Sequence, residues 1–404
     1  MKLRLNILLI AAVGTMSAQL TSCSDDNFTD SIFDTTEYPL DRTVYTFPLD
    51  TFVKAEFLVP YNVQFIYKTE DKGLSSSDMA KNFTPAPYDN CVKLAVLSKY
   101  LWHDVYKKHA GVEFLKENSP RIIHVIGSKS YNVSQGTETL GVAEGGLKIS
   151  LFNVNNLDEG NIDMMNEYFF KTMHHEFGHI LDQTHLRPTA FNLVSNGQYD
   201  ASGWSETPDS VAAGRGFVSP YASSATGEDW VEVLANYITR DSISWNNMLN
   251  TANYEWEIID IESYSAYTKR LSPGCNLDTI GYYQAMNNGD SKLYRRVCKR
   301  NADDTVALDE NGEVVWTHAS GIDGHAIILK KLEMVREWLK TYFGADIDDL
   351  RTEVQQRQYV TNSDGTFLIQ NGRLVNRLTY PTSSGKTTME ELVDEVNQFK
   401  SLMN

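Results

Sequence analysis

The segment from Asn161 to Asp182 constrains the fold of this chain more than any other part of its sequence. Its apolar residues recur at helical spacing, and it contains the string His175-Glu-Phe-Gly-His179. Two histidines four apart on a helix project from one face about one turn apart, so both imidazoles can bind one metal ion. Glu176 lies beside that face and can reach a water held by the metal. The sequence therefore predicts a metal-binding helix on which Glu176 is a general base.

Other residues of the same segment favour zinc over a chance match to a short pattern. Gly178 leaves room for close packing beside the metal, and Asp182 shares the ligand face and can orient an imidazole. Zinc lowers the pKa of a bound water to near neutral, so that a carboxylate can take its proton. His174 lies about 100° around the helix from its neighbour and is expected to be a surface or packing residue. We therefore expect a zinc-dependent hydrolase.

The third ligand of this site has two candidates. Glu228 lies at the start of an amphipathic helical pattern, in a capping-box-like sequence that begins at Thr226. Glu232 follows one turn later and could hold a ligand histidine from behind. His185 instead completes the string HExxHxxxxxH, the ligand spacing of metzincins, but those proteins have a glycine where this chain has Asp182. Because Asp182 lets the helix continue, we favour Glu228 over His185.

The N-terminus predicts export and lipid anchoring. A basic start precedes an apolar stretch at residues 5–16 that is too short to span a bilayer. The sequence Leu20-Thr-Ser-Cys23 resembles a bacterial lipobox, in which cleavage leaves Cys23 as an acylated N-terminus. The acidic residues that follow are similar to the tag of surface-exposed lipoproteins of Bacteroidetes. We expect a signal peptide at residues 1–22 and an outer-membrane lipoprotein, exposed at the cell surface or facing the periplasm.

Composition and cysteine usage narrow the range of functions. A net charge of −17, without any basic run, argues against nucleic-acid binding because nothing would neutralise phosphates. Cys23 is used by the anchor, which leaves Cys91, Cys275 and Cys298. The last two could pair in an oxidising compartment, or all three could be buried thiols. No CxxC pair is present, so a thiolate metal site is not expected.

The remaining patterns predict helices, strands and domains on both sides of the metal helix. Helices are expected at 92–110, 226–238, 327–342 and 388–403, strands at 121–126 and 146–152, and hairpins at Asn311-Gly312 and Asn371-Gly372. We expect an acidic tether at 23–44, a catalytic domain at 45–300, and hairpins and helices at 301–404 that pack on it. The strand at 146–152 is expected to be half exposed and to pair with an extended peptide.

Several of these segments resemble known families. The sequence His175-Glu-Phe-Gly-His-Ile-Leu-Asp182 looks like the zinc helix of the anthrax lethal factor protease domain, and Glu228-Asp-Trp-Val-Glu232 is similar to its glutamate-ligand helix. In that family a tyrosine seven residues before the ligand glutamate points its hydroxyl at the reaction intermediate, and Tyr221 has that position here. The lipobox, HEFGHILDQT, GFVSPYAS, EDWVEVLANYI and the helix at 330–339 together resemble zinc metallopeptidase lipoproteins of Bacteroidetes associated with TonB-dependent import.

The resemblance implies an α+β, zincin-like metallopeptidase fold with a small mixed sheet, an HExxH active-site helix and a mostly helical C-terminal part. It also implies Zn²⁺ held by His175, His179 and Glu228, with Glu176 as general base and Tyr221 stabilising the oxyanion. The expected partners are a peptide or protein substrate, the outer membrane and a TonB-dependent importer. Two alternatives stay open, a non-catalytic surface lipoprotein that binds ligands for the importer and an amidase or deacetylase that acts on non-peptide substrates.

Overall fold

The computed structural model covers most of the chain beyond its N-terminus. The described residues are 40–68, 83–132, 137–139, 141–144, 147–259, 282–287, 290–303 and 305–404. The chain divides into a unit at Met1–Asp41 and a unit at Arg42–Asn404, and every feature below belongs to the second. The predicted signal peptide, Cys23, most of the tether and Cys275 lie outside the described residues. Within the described part, no helix combines the length and apolar character needed to cross a membrane.

A four-stranded sheet forms the β part of the N-terminal half. Its strands are β1 (Gln64–Ile66), β2 (Ile122–Val125), β5 (Gly141–Glu144) and β6 (Lys148–Leu151), while β3 (Ser130–Asn132) and β4 (Thr137–Thr139) form a separate antiparallel pair. The order is β1-β2-β6-β5, in which β1, β2 and β6 are parallel and β5 runs antiparallel to β6. Both predicted strands are therefore present.

The expectation for the second of these strands was wrong in one respect. All four residues of β6 are buried, because the strand lies between β2 and β5 and pairs with both. Parallel strands inside a sheet are commonly buried on both faces, whereas half-exposed strands belong mostly to antiparallel sheets. Since its two edges are already paired, β6 cannot accept an extended peptide as a further strand.

Several helices precede β2 in the chain, and one stretch of them packs against the histidine-bearing helix. They are α1 (Phe47–Val53), α2 (Tyr88–Ser98), α3 (Asp104–His109) and α4 (Val112–Asn118), with π-helical turns at Lys54–Leu58 and Lys99–His103. The second π turn joins α2 to α3, so the predicted helix at 92–110 is confirmed. The rings of Trp102 and Tyr106 pack edge-on against Phe177 of the histidine-bearing helix, with centroids 5.3 and 4.9 Å away.

The histidine-bearing segment forms α5 (Ile162–Met165), a π turn (Asn166–Phe170) and α6 (Lys171–Thr184) in immediate succession. Asn161 caps the start of α5, since its side chain accepts a hydrogen bond from the Met164 amide. The predicted helix from 161 to 182 is therefore confirmed, and HExxH lies within α6.

The predicted helix at Glu228 is α9 (Thr226–Thr239). It is flanked by α7 (Phe191–Val194), α8 (Asp209–Gly214) and α10 (Ser242–Thr251). The predicted capping box was wrong. Ala225 is the N-cap and no side chain caps this end, while the Thr226 hydroxyl, inside the helix, accepts a hydrogen bond from Arg187. A Cβ atom at Gly178 would lie 3.0 Å from Val231 Cγ1, so glycine allows α6 and α9 to approach closely.

Beyond α10 the described chain forms a three-stranded sheet, three helices and a short hairpin. The sheet is antiparallel with the order β7-β9-β8 and comprises β7 (Trp256–Ile259), β8 (Tyr282–Asn287) and β9 (Asp290–Arg296). The helices are α11 (Gly324–Phe343), α12 (Ile347–Gln358) and α13 (Thr388–Asn397), with the hairpin β10 (Ile369–Gln370) and β11 (Arg373–Leu374) between them. The predicted helices at 327–342 and 388–403 are confirmed, although the second becomes 3₁₀-helical at Gln398–Leu402. The sequence analysis missed α12.

Both predicted hairpins are present. Asn371 and Gly372 join β10 to β11 with φ angles of 51° and 74°, the left-handed pair that a two-residue turn of this kind requires. Near Asn311-Gly312, the two arms of the turn meet at an isolated antiparallel bridge between Leu308 and Val314. The Asn-Gly pairs were therefore sufficient to locate both hairpins in the sequence.

The C-terminal helices pack directly on α9. Trp338 of α11 packs edge-on against Trp230 of α9, with ring centroids 5.2 Å apart. The side-chain amide of Gln355 on α12 donates to the carbonyls of residues 238–240, at the end of α9 where helical carbonyls have no partner within the helix. The boundary at residue 300 stays a prediction, but the helix that carries Glu228 depends on contacts from beyond it.

Candidate metal centre

Two helices bring three potential metal ligands together. His175 and His179 lie one turn apart on α6, and Glu228 faces them from the first turn of α9. Glu228 Oε2 lies 3.1 Å from His175 Nε2 and 3.3 Å from His179 Nε2. Over the described ranges, these are the side chains whose ligand atoms cluster for a metal ion, all within 4.8 Å of one another. The structure thus assembles the three residues that the sequence analysis named.

These three side chains satisfy the requirements of a zinc ion. Zinc binds imidazole nitrogen and carboxylate oxygen at about 2.0–2.2 Å, so neighbouring ligands of a tetrahedral site lie about 3.4 Å apart. The separations of 3.1 and 3.3 Å to Glu228 agree with that value. Three protein ligands also leave the fourth position for water or substrate, as catalytic zinc sites do.

Glu232 fixes the orientation of His175 from behind. His175 Nδ1 donates to Glu232 Oε1 at 2.8 Å, which leaves Nε2 directed at Glu228. The glutamate is only 3% exposed, and its other oxygen accepts from Ser219 Oγ at 2.5 Å and from Asn236 Nδ2 at 3.0 Å. A carboxylate that receives the second ring N–H fixes both the tautomer and the ring plane of a ligand histidine. Glu232 therefore lies where the sequence analysis expected it.

The two glutamates make the centre strongly negative. Burial raises the pKa of Glu228, but hydrogen bonds with both histidines outweigh burial and hold it well below its usual range. Burial also raises the pKa of Glu232, but the charge of Lys171 and the hydrogen bonds with His175 and Ser219 hold it well below its usual range. Burial by itself lowers the pKa of His175, whereas hydrogen bonds to these two carboxylates raise it to about 10. The site is therefore built to hold positive charge beside the imidazoles.

Asp182 has a different role from the one predicted. It accepts hydrogen bonds from the backbone amide of Arg187, at 2.7 Å, and from its guanidinium. The same guanidinium reaches Asn192 and Thr226, so it links the end of α6 to the start of α9. The expected contact of Asp182 with an imidazole is replaced by this link, and Glu232 orients His175 instead.

The other two histidines of the segment lie away from the cluster. His185 follows α6, and its ring stacks on Tyr342 with centroids 4.8 Å apart while its carbonyl accepts from Trp338 Nε1. It packs against α11 and is not a member of the ligand cluster. His174 is fully buried, with Nδ1 3.0 Å from the Tyr106 hydroxyl, as expected of a packing residue.

Tyr221 lies at the open side of the cluster. It is 37% exposed, and its ring centroid lies 5.8 Å from that of His175. Burial and then the carboxylates of Glu228 and Glu176 raise the pKa of its hydroxyl, which therefore stays protonated and can donate. Trp204 packs edge-on against the tyrosine with centroids 4.9 Å apart. The sequence analysis did not single out Trp204, because its loop shows no periodic pattern.

Comparison with known proteins points to the same metal. A family model with the description "putative zinc-binding metallo-peptidase" matches residues 43–348. The chain is also similar to a crystal structure of a putative zinc-binding metallo-peptidase from Bacteroides caccae, at 30% sequence identity and a TM-score of 0.52. That similarity covers 77% of this chain and 91% of the other. No functionally curated protein matches.

Proposed function

Because the chain belongs to the family described as "putative zinc-binding metallo-peptidase", we propose that it is a zinc-dependent peptidase with its active site between α6 and α9. The observation that carries this proposal is the position of Glu228 Oε2, within 3.1 and 3.3 Å of two imidazole nitrogens from HExxH. His175, His179 and Glu228 would hold the Zn²⁺, which is the gluzincin arrangement. Glu232 keeps His175 in the ligand orientation through its hydrogen bond to Nδ1.

Glu176 is the proposed general base. Zinc in such a site supplies Lewis acidity, which makes water acidic near neutral pH and polarises a carbonyl group. The carboxylate of Glu176 is buried beside the ligands and close enough to raise the pKa values of both His175 and Tyr221. It can accept a proton from the attacking water and return it to the leaving nitrogen. This role requires a carboxylate beside the ligand face, which its place in HExxH supplies.

Tyr221 is the proposed donor to the oxyanion. Its hydroxyl is protonated over the physiological pH range, and the ring lies at the exposed side of the cluster, where a substrate carbonyl can approach. A fixed donor aimed at developing negative charge stabilises the tetrahedral intermediate more than the ground state. The packing of Trp204 against the ring restricts its motion.

An extended substrate would bind along β5 rather than β6. In the described sheet β5 is the outer strand next to β6, and it lies alongside α6. An edge strand offers backbone donors and acceptors to a peptide, which can add to the sheet as a further strand. This placement would bring a scissile bond close to the ligand face of α6.

Lipid anchoring at Cys23, outer-membrane location and service to a TonB-dependent importer also remain part of the proposal. The anchor and the location rest on the lipobox-like sequence and the acidic residues after it, which lie outside the described residues. The importer rests on the resemblance of several segments to zinc metallopeptidase lipoproteins of Bacteroidetes associated with TonB-dependent import. Labelling of expressing cells with a radioactive fatty acid tests the anchor, because Cys23→Ser would then lose the label.

A Glu176→Gln variant tests the catalytic proposal. The amide keeps the size of the side chain but cannot accept the proton, so we expect zinc content to stay at one ion per chain while peptide hydrolysis falls by about 10²–10⁴-fold. Hydrolysis would be followed by mass spectrometry on a mixed peptide library. Glu167→Gln, an exposed glutamate earlier in the same helical segment, is the matched control and should keep the parent rate.

Three outcomes would contradict the proposal. A parent protein that binds no zinc removes the metal centre. Equal cleavage by Glu176→Gln removes the general base. A parent that binds zinc but cleaves no peptide would instead be a non-catalytic binding lipoprotein or a hydrolase of non-peptide amides. Assays with N-acetylated sugars and N-acetylated amines distinguish these two, because only the hydrolase would cleave them.

A further inference from the structure

A buried lysine of α11 contacts both the helix that carries Glu228 and the segment just before the loop that carries Tyr221. Lys331 of α11 lies with its Nζ 2.7 Å from Asp229 Oδ2, and neither side chain has any exposed surface. The same ammonium donates to the carbonyl of Gly216 at 2.7 Å. Asp229 directly follows Glu228, and Gly216 precedes the loop that carries Ser219 and Tyr221. One cation therefore joins the ligand helix to the loop opposite it.

Aromatic side chains complete the network around Lys331. The hydroxyl of Tyr199 donates to Asp229 Oδ2 at 2.8 Å, and the lysine ammonium lies 4.1 Å from the centroid of Phe217. The rings of Tyr199 and Phe217 are themselves in edge-on contact at 5.4 Å. The ammonium thus contacts a carboxylate, a carbonyl and a ring face in the protein interior, where electrostatic contacts are strong.

The backbone of this loop lies directly against α11. At Gly216, where φ is 88°, a Cβ atom would lie 2.3 Å from Ile327 Cγ2. At Gly324, the first residue of α11, a Cβ atom would lie 2.3 Å from the carbonyl oxygen of Ala213, at the end of α8 just before the loop. The two glycines therefore allow α11 to pack closely against the end of α8 and the start of the loop.

We propose that Lys331 is a positioning residue for the metal centre. By holding Asp229 and Gly216 at one point, it sets the distance between Glu228 and the loop that carries Tyr221. Stability alone does not account for such a pair, since replacing a buried ion pair by apolar residues is often neutral or stabilising. The inference rests on the proposed function, because it requires that the centre binds zinc.

The test measures zinc affinity in a variant from which both charges are removed. Lys331→Met combined with Asp229→Asn avoids leaving one buried charge unpaired, so the full-length protein should fold. We expect its circular dichroism to match the parent and its zinc Kd, measured on metal-free protein by competition with a fluorescent chelator, to rise about tenfold or more. The kcat for peptide hydrolysis should fall as well, because Tyr221 is displaced together with Glu228.

Val396→Ala is the matched control for a purely structural effect. Val396 is 1% exposed on α13, remote from the two ligand helices, so its truncation should lower the melting temperature without changing the zinc Kd. A change in zinc Kd that simply followed the melting temperature across both variants would overturn the inference.

A second variant covers the case in which the double variant does not fold. Tyr199→Phe removes only the hydroxyl that bonds to Asp229, and we expect the zinc Kd to rise about threefold from the loss of one hydrogen bond. A folded double variant with the parent's zinc Kd overturns the inference, and so does an unchanged Kd in Tyr199→Phe if the double variant is unfolded. A parent that binds no zinc instead overturns the proposed function itself.

Discussion

Replacing Glu232 by glutamine isolates the contribution of the carboxylate behind the metal centre. The side chain receives three hydrogen bonds, from His175 Nδ1, Ser219 Oγ and Asn236 Nδ2, and is 3% exposed. Glutamine has nearly the same volume, but it is neutral, and an NH2 group that can only donate replaces one of the two accepting oxygens. The histidine would therefore lose a charged acceptor, and one of the three donors would face another donor.

The size of the effect follows from the contact with His175. A hydrogen bond to a charged group contributes about 1.5–3 kcal/mol, and this one lies in the interior at 2.8 Å. That energy corresponds to roughly 10–150-fold in an equilibrium constant. The range agrees with the 10–100-fold loss of metal affinity usual when the partner of a ligand histidine is removed. We expect the zinc Kd of Glu232→Gln to rise by about 10–100-fold.

Zinc affinity would be measured on metal-free protein by competition with a fluorescent chelator. Glu353→Gln is the matched control, because that glutamate is also largely buried and paired with Lys108 and Arg357, but on α12. It should keep the parent affinity. If Glu232→Gln binds zinc as tightly as the parent, helix packing alone orients His175 and the reasoning is wrong.

Three further predictions address packing, the site loop and acid stability. Gly178→Ala places a methyl group about 3.0 Å from Val231, so we expect about 1–3 kcal/mol less unfolding free energy in urea and weaker zinc binding, both largely restored by adding Val231→Ala. Trp204→Ala frees the ring of Tyr221, so kcat should fall with unchanged zinc affinity, and a parent-like kcat would refute this. The hydrogen bond from Arg336 on α11 lowers the pKa of Asp348 below its usual 3.8. The ionised carboxylate therefore stabilises the fold above pH 3.8, and this stabilisation is lost as the pH falls further. The urea midpoint of Asp348→Asn should therefore change less than that of the parent below pH 4.

The part of the centre that the sequence predicts well depends on helical spacing. His175 and His179 must share a face once α6 forms, and Glu228 and Glu232 must lie one turn apart on α9. Both patterns are local, because they involve residues within a single helix. Even the missed helix α12 has such a pattern, with Ile347, Leu350 and Val354 buried on one face.

The features that the sequence analysis got wrong or missed depend on long-range contacts. Nothing local shows that β6 lies inside the sheet and β5 beside it, since strand order is set by packing across the chain. Asp182 has the spacing to orient an imidazole, yet the loop after α6 folds back and brings Arg187 to it. Lys331 is buried whereas Lys330, its neighbour, is exposed, and composition does not distinguish the two.

The histidine pair and Glu228 are therefore held in place by different interactions. The distance between the two histidines is set by one helical turn and persists as long as α6 is helical. The distance from that pair to Glu228 depends on the contact at Gly178 and on the support that α11 and α12 give to α9. Loosened tertiary packing should thus displace Glu228 before it separates the histidines. A destabilised variant would then keep a two-histidine site of reduced zinc affinity, and loss of affinity would precede loss of helical structure.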